Sequence, residues 1–206
     1  MSKKIIITFE GIEGSGKSLH IKNVSNYLKK KKINFIKIRE PGGSKNAEKI
    51  RKLILSNKSK FNKNTDLLLY LASRSENVEN IIKKNYKKKV ILIDRFTDST
   101  IAYQHYGMGI DKRIIIMINN YLLKKISVGL TFLHIVNKKN FKNRLLKRRV
   151  LNRYDKFKYS FYKKIQKGYI NQANLNKKKY LIINSNEKIN MNKKIILNKI
   201  NKILSI

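Results

Sequence analysis

The residues with the plainest chemistry are Gly11, Gly16, Lys17 and Ser18, spaced as Gly11-x-x-x-x-Gly16-Lys17-Ser18. Glycines at this spacing let the backbone wrap a polyphosphate so that successive N–H groups point at its oxygens. A helix that follows adds the positive end of its dipole. In this reading Gly11, Ile12, Glu13, Gly14, Ser15 and Gly16 form the cradle, with Lys17 reaching the β and γ phosphates and the Ser18 hydroxyl on Mg2+. The loop at 11–18 predicts a bound nucleoside triphosphate and leaves the reaction open. A second pair, Asp94 and Arg95, closes the apolar run Val90-Ile91-Leu92-Ile93. The carboxyl ends of parallel strands line the ligand crevice. Asp94 there can hold water around Mg2+, and Arg95 can clamp an acceptor phosphate through its planar fork. A plain strand-end salt bridge is the alternative.

Weaker candidates lie elsewhere. Tyr70 and Arg74 are four apart on a helical pattern, so they share a face and could hold a flat base between ring and guanidinium. The competing reading is a core tyrosine beside a solvated arginine. Tyr103 and Gln104 follow an Asp or Ser helix cap at 98–99 and can face the cleft as base-reading groups. The arginines at 144, 148, 149 and 153 read either as a solvated helix face or as a lid that neutralises charge on a transferred group. His134, inside a strand, reads as a core histidine.

These residues need a scaffold, and the hydrophobic pattern supplies one. Short β-branched runs at 5–9, 33–38, 90–95, 130–136 and 180–184 read as strands. Helical periodicity fills 19–31, 47–55, 65–82, 111–126, 154–169 and 189–204. Strands alternating with helices predict a five-stranded parallel sheet covered on both faces by right-handed crossovers. The chain reads as one α/β domain over 1–206, with the lid as an insertion. Pro41, the only proline, marks a turn after the second strand, either an ordinary one or one with a cis bond after Glu40.

Composition sets the limits. A chain of 206 residues is long enough for a real core, and with no cysteine it has no disulfide or thiolate metal site. Neither a membrane-length apolar run nor a signal-peptide pattern is present, so a cytoplasmic protein is expected. The formal charge of +37 suggests nucleic-acid binding. Lysines are nevertheless spread with asparagine and isoleucine through every segment, which favours drift on solvated faces over a selected nucleic-acid surface.

Taken together, five blocks resemble the bacterial type of thymidylate kinase, a P-loop NTPase-like fold. They are Phe9 through Ser18; Arg39-Glu40-Pro41-Gly42-Gly43-Ser44 with Ala47-Glu48-Lys49-Ile50-Arg51; Tyr70 with Arg74; Asp94-Arg95-Phe96 through Ala102-Tyr103-Gln104; and a lid at about 144–156 ending near Arg153. The resemblance implies a three-layer α/β/α domain with a lid, ATP and Mg2+ as cofactors, dTMP as acceptor, and a homodimer. It implies that Glu13 approaches the sugar or the metal-bound water and that Tyr70 stacks on thymine. Arg74 would reach the base carbonyl edge, Arg95 would grip the acceptor phosphate, and Arg39 would support it. Ser99, Tyr103 and Gln104 would complete the nucleoside pocket. Arg153, with Arg148 or Arg149, would act on the transition state. Three departures stand out: Asn152 where the family's lid carries an acid, His105-Tyr106-Gly107-Met108-Gly109 in place of a glycine-rich turn with an arginine, and no carboxylate at Ile135-Val136-Asn137. Another nucleoside monophosphate kinase, a polyanion binder using ATP as a switch, and a decayed enzyme remain as alternatives.

Overall fold

The computed structural model describes residues 5–147 and 151–206. Among these, five strands form one parallel sheet in the order β2-β3-β1-β4-β5, with β1 Ile6–Glu10, β2 Phe35–Arg39, β3 Val90–Asp94, β4 Val128–Ile135 and β5 Tyr180–Asn184. β1 is central and buried at every position. Its isoleucines therefore face protein on both sides, the condition under which a β-branched run has no need to alternate. Ile7, Phe9, Leu92 and Phe132 pack against α1 (Lys17–Lys30) and α8 (Ile189–Leu204) through Val24, Leu28, Ile196 and Ile200. On the other face Ile6, Ile91 and Ile93 meet Val78 and Ile82, where α3 (Lys63–Asn77) runs into a π-helical turn, Val78–Ile82. Burying each such side chain contributes about 1.5–3 kcal/mol.

Register fixes the site. Phe9 pairs with Asp94 across β1–β3 and with Phe132 across β1–β4, so β1 and β3 end within one residue of each other. The chain leaves β1 into the 11–18 loop and leaves β3 into Arg95, side by side. Further helices are α2 (Lys45–Leu55), α4 (Thr97–Thr100, continuing as π-helical Ile101–Gly107), α5 (Lys112–Leu123), α6 (Lys138–Leu146) and α7 (Tyr159–Leu175).

Three local expectations change. The helix expected over 65–82 is α-helical only to Asn77. The helix expected from residue 154 is a 3-10 turn, Arg153–Lys156, followed by α7. Asp98 and Ser99 lie inside α4 and do not cap it; its N-cap is Phe96, whose N–H is taken by Glu10 of β1. A carboxylate from the neighbouring strand thus anchors the residue at which the helix begins. The Glu40–Pro41 bond is cis. No described helix is long and apolar enough to cross a membrane.

Candidate active site

The 11–18 loop is built on backbone that glycine alone adopts without strain. Gly11, Gly14 and Gly16 have φ of 137°, 66° and 88°. A Cβ on Gly11 would stand 2.3 Å from the carbonyl oxygen of His134. Lys17 spans the loop, its Nζ donating to the carbonyls of Gly11 and Ile12 at 2.9 and 2.8 Å. Burial, helped by Arg95, brings this amine down to about 8. Ser18 Oγ donates to Asp94 Oδ2 at 3.2 Å.

Arg95 is left-handed, with φ 67°, where a non-glycine residue is uncommon. That turn aims its side chain back across the loop. Nη1 donates to the Gly11 carbonyl at 2.9 Å and Nη2 to Glu13 Oε1 at 2.8 Å, and the guanidinium lies 5.2 Å over the Tyr103 ring. Glu13 also accepts from the Tyr103 hydroxyl. Burial alone would raise the Glu13 carboxyl, but Arg95 and Lys17 together hold it below the usual carboxylate range. Beneath them Glu10 is fully buried, accepting from Phe96 N–H at 2.7 Å and Ser99 Oγ at 2.6 Å. Burial and the nearby Asp98 push its carboxyl up to about 7.

A cleft of about 390 Å³ opens beside the loop. Expected residues Glu13, Gly14, Gly16, Lys17, Ser18, Arg39, Tyr70, Arg74, Asp94, Arg95, Ser99, Tyr103 and Gln104 all line it. Gly11, Ile12 and Ser15 form the underside of the loop, with the Ile12 side chain in the core. Ser99 keeps its hydroxyl on Glu10 and Tyr169.

Arg74 is not solvated. Only 2% exposed, it sets Nε and Nη2 on Glu40 Oε2, each at 2.8 Å, and Nη1 on Asn119 Oδ1 at 2.6 Å. Its guanidinium stands over the Phe96 ring at 5.1 Å rather than stacking a base against Tyr70. Two donors of its fork remain for the cleft. Glu40 is steadied by Asn77, which also accepts from the Ser44 N–H at 2.9 Å, so the Pro41-Gly42-Gly43 turn is tied to α3.

Several participants escape a reading of the sequence alone. Arg51 enters the cleft and donates to the Pro41 carbonyl at 2.6 Å. Its place in the block after Arg39 is the signal that could have found it. Thr100 lines the cleft one helical turn before Gln104; Thr100 Oγ1 and Gln104 Nε2 are buried and have no hydrogen-bond partner. Tyr154 and Asn152 close the far side.

The lid differs most from expectation. Arg153, expected to face the transferred group, instead donates to Asp66 and to the Ile54 carbonyl and does not line the cleft. Asp66 is a buried carboxylate in the first turn of α3, and it captures the nearest guanidinium. Arg148 and Arg149 lie outside the described residues. Of the described arginines in the lid region, Arg144 of α6 does reach the loop, donating to the carbonyls of Gly14 at 3.0 Å and Ser185 at 2.6 Å.

A parallel sheet with this loop after β1, and an arginine-lined cleft at the end of β3, define a P-loop phosphotransferase. The family model described as Thymidylate kinase matches residues 9–196. A thymidylate kinase of Acholeplasma laidlawii is 38% identical over 201 residues, 96% of this chain and 99% of that protein. One of Kosmotoga olearia is 35% identical over 180 residues, 87% of this chain and 86% of that protein. The crystal structure of thymidylate kinase from Ehrlichia chaffeensis superposes with a TM-score of 0.79 at 29% identity, covering 97% of this chain and 99% of that one. The chain belongs to the thymidylate kinase family.

Proposed function

We propose that this chain transfers the γ-phosphoryl group of ATP to the 5′-phosphate of dTMP, giving dTDP and ADP on the way to dTTP. Its family and the names of its relatives support this reaction. The observation that carries it is Arg95, left-handed at the end of β3 and bonded to both Gly11 and Glu13. One planar cation thereby joins the donor loop to the acceptor half of the cleft. An acceptor-phosphate oxygen forms the new P–O bond as the γ-phosphorus leaves the bridging oxygen of ADP. No proton need move, so the protein's task is positioning and charge neutralisation. Gly14, Gly16 and Lys17 would hold the donor phosphates. Arg95, with Arg39 and Arg51 beside it, would hold the acceptor phosphate. Tyr70 would take the base face, and Arg74, Thr100 and Gln104 its polar edge. The unpartnered Thr100 Oγ1 and Gln104 Nε2 fit a heterocycle with both donors and acceptors.

The residues present fit Mg2+. Ser18 Oγ and Asp94 Oδ2 are hard oxygen donors 3.2 Å apart beside the loop. Among the described residues no cluster of three acidic, histidine or cysteine side chains forms a cage. That suits an ion held mainly through phosphate oxygens and water. Bound there by Ser18 and Asp94, it would offset charge on the donor phosphates.

A homodimer and a cytoplasmic location belong to the same proposal, the latter resting on the nucleotide pool there. Leu68 of α3 and Ile114, Met117 and Tyr121 of α5 are exposed, on two helices packed together through Leu67, Leu71 and Ile115. A second copy is the occupant this face fits. A coupled assay across nucleoside monophosphates tests the reaction: ADP release should require dTMP. Turnover with another base and none with dTMP would reject it.

A further inference from the structure

Asp66, Tyr70 and Arg74 recur every fourth residue along α3, so they share one stripe of the helix. The last two line the cleft, and the first does not. Asp66 nevertheless has both carboxylate oxygens engaged across the lid boundary. Oδ1 accepts from Arg153 Nη2, and Oδ2 accepts from the Tyr154 hydroxyl at 2.6 Å. Asp66 is 2% exposed, and the Arg153 guanidinium lies 5.7 Å from the Phe61 ring centroid and 4.9 Å from that of Tyr154. Arg153 also donates to the Ile54 carbonyl, at the end of α2.

What this cluster holds in place is a wall of the acceptor pocket. Tyr154 meets Tyr70 edge-on at 6.3 Å and Tyr103 at 6.0 Å, and all three line the cleft. Asn152, on the same turn, accepts from the Tyr154 N–H at 2.8 Å, and Asn57 reaches the Leu151 carbonyl at 3.2 Å. The segment after the lid is thus strapped to α2 and α3, with Asp66 as its buried anchor. The Arg153 guanidinium is held by a carboxylate and a carbonyl outside the cleft, where it does not meet a phosphoryl group bound beside the loop.

We propose that Asp66 is a positioning residue for the acceptor nucleotide: it pins Tyr154 against Tyr70 through the Tyr154 hydroxyl, and Arg153 serves as its counter-ion rather than as a cation on the transferred phosphate. This rests on the kinase reading above. A carboxylate of this kind acts on how tightly the base is held, not on the phosphoryl step.

Steady-state kinetics of the full chain with dTMP and ATP, beside thermal melts by circular dichroism, provide the test. Asp66→Asn keeps the side chain's size but removes its charge. It should raise the KM for dTMP about tenfold, leaving the KM for ATP and kcat within about threefold, as expected for a lost charge-assisted hydrogen bond. Asp66→Glu should recover part of the loss. Arg153→Gln should act alike, and the Asp66→Asn/Arg153→Gln pair should cost no more than one change alone. Tyr154→Phe removes one hydroxyl from a folded chain and should raise the same KM about threefold. The assignment is overturned if Arg153→Gln lowers kcat about a hundredfold at unchanged dTMP KM, or if the two losses add. A wild-type chain that neither binds nor phosphorylates dTMP rejects the kinase reading. An active one that Asp66→Asn and Tyr154→Phe leave unaltered rejects the anchor alone.

Discussion

Arg95 donates to Glu13 at 2.8 Å across the gap between β3 and the phosphate loop, so an ion pair ties the end of the strand to the loop. Because Nη1 holds Gly11 while Nη2 holds Glu13, the planar fork is used on both prongs. A lysine cannot copy that. Arg95→Lys should therefore lower kcat/KM for dTMP by about a hundredfold or more, with a much smaller effect on the KM for ATP. Equal losses for the two substrates would show that Arg95 serves the fold and not the acceptor.

Lys17 bridges the carbonyls of Gly11 and Ile12 in a buried setting. Replacing it with methionine keeps the stem and removes the charge, so folding should survive. Turnover should fall by about 10² to 10³, the usual cost of one preorganised donor. ADP release at the wild-type rate would rule out the loop as the donor site.

How far the sequence alone reached can be judged residue by residue. The strands were legible because each is a β-branched run bounded by polar turns, and Asp94-Arg95 was placed correctly since a parallel strand's end has one direction to face. Arg74 was not legible as a buried residue. Its partners, Glu40 and Asn119, lie 34 and 45 positions away, beyond any helical window. The start of α4 was misplaced for the same reason: Glu10, 86 positions before Phe96, takes the Phe96 N–H and fixes the helix start ahead of Asp98 and Ser99. Arg153 has the right type and place for a lid cation, but a carboxylate 87 positions earlier claims it. Local spacing foretells what a residue can do; long-range pairing decides whether it is available to do it.

Thr100 gives two effects of opposite sign. Its hydroxyl is buried without a partner, a cost the folded chain carries. Thr100→Val should raise stability by about 1 kcal/mol and weaken dTMP binding by a similar amount, since the hydroxyl's partner is supplied only by ligand. Calorimetric melting and dTMP titration measure the two. Tyr70→Ala, by contrast, should weaken dTMP by about 1–3 kcal/mol through the lost base stack. Unchanged affinity in the alanine variant would remove Tyr70 from the pocket.

The exposed apolar stripe of α3 and α5 predicts the oligomeric state. Met117→Lys sets a charge at its centre, where Met117 is 63% exposed in the single chain and costs the monomer nothing to replace. Sedimentation should show a dimer for the parent and a monomer for the variant, because an unpaired charge in an interface costs several kcal/mol. A parent that sediments as a monomer at all concentrations would exclude this face as the contact.

The two buried histidines predict acid sensitivity. His20 and His134 stack at 5.4 Å behind the phosphate loop, and neither ring nitrogen of His134 has a partner. Burial, then His20 and Lys17, bring His134 from 6.5 down to about 3; burial also lowers His20. Between those values the unfolded chain binds a proton that the folded chain refuses, so the stability present above pH 6.5 is lost as the pH falls. Glu10 works the other way. Its carboxyl is raised from 4.5 to about 7, so its contribution is complete below pH 4.5 and fades as the pH rises through 7, which offsets part of the histidine slope. His134→Leu removes the His134 term and leaves those of His20 and Glu10 in place. Urea unfolding at pH 7 and pH 5 should show the loss of stability on acidification reduced by about 2 kcal/mol in the variant. An identical loss in both chains would mean that His134 is protonated in the fold, and that the stacked pair carries a charge beneath the phosphate loop.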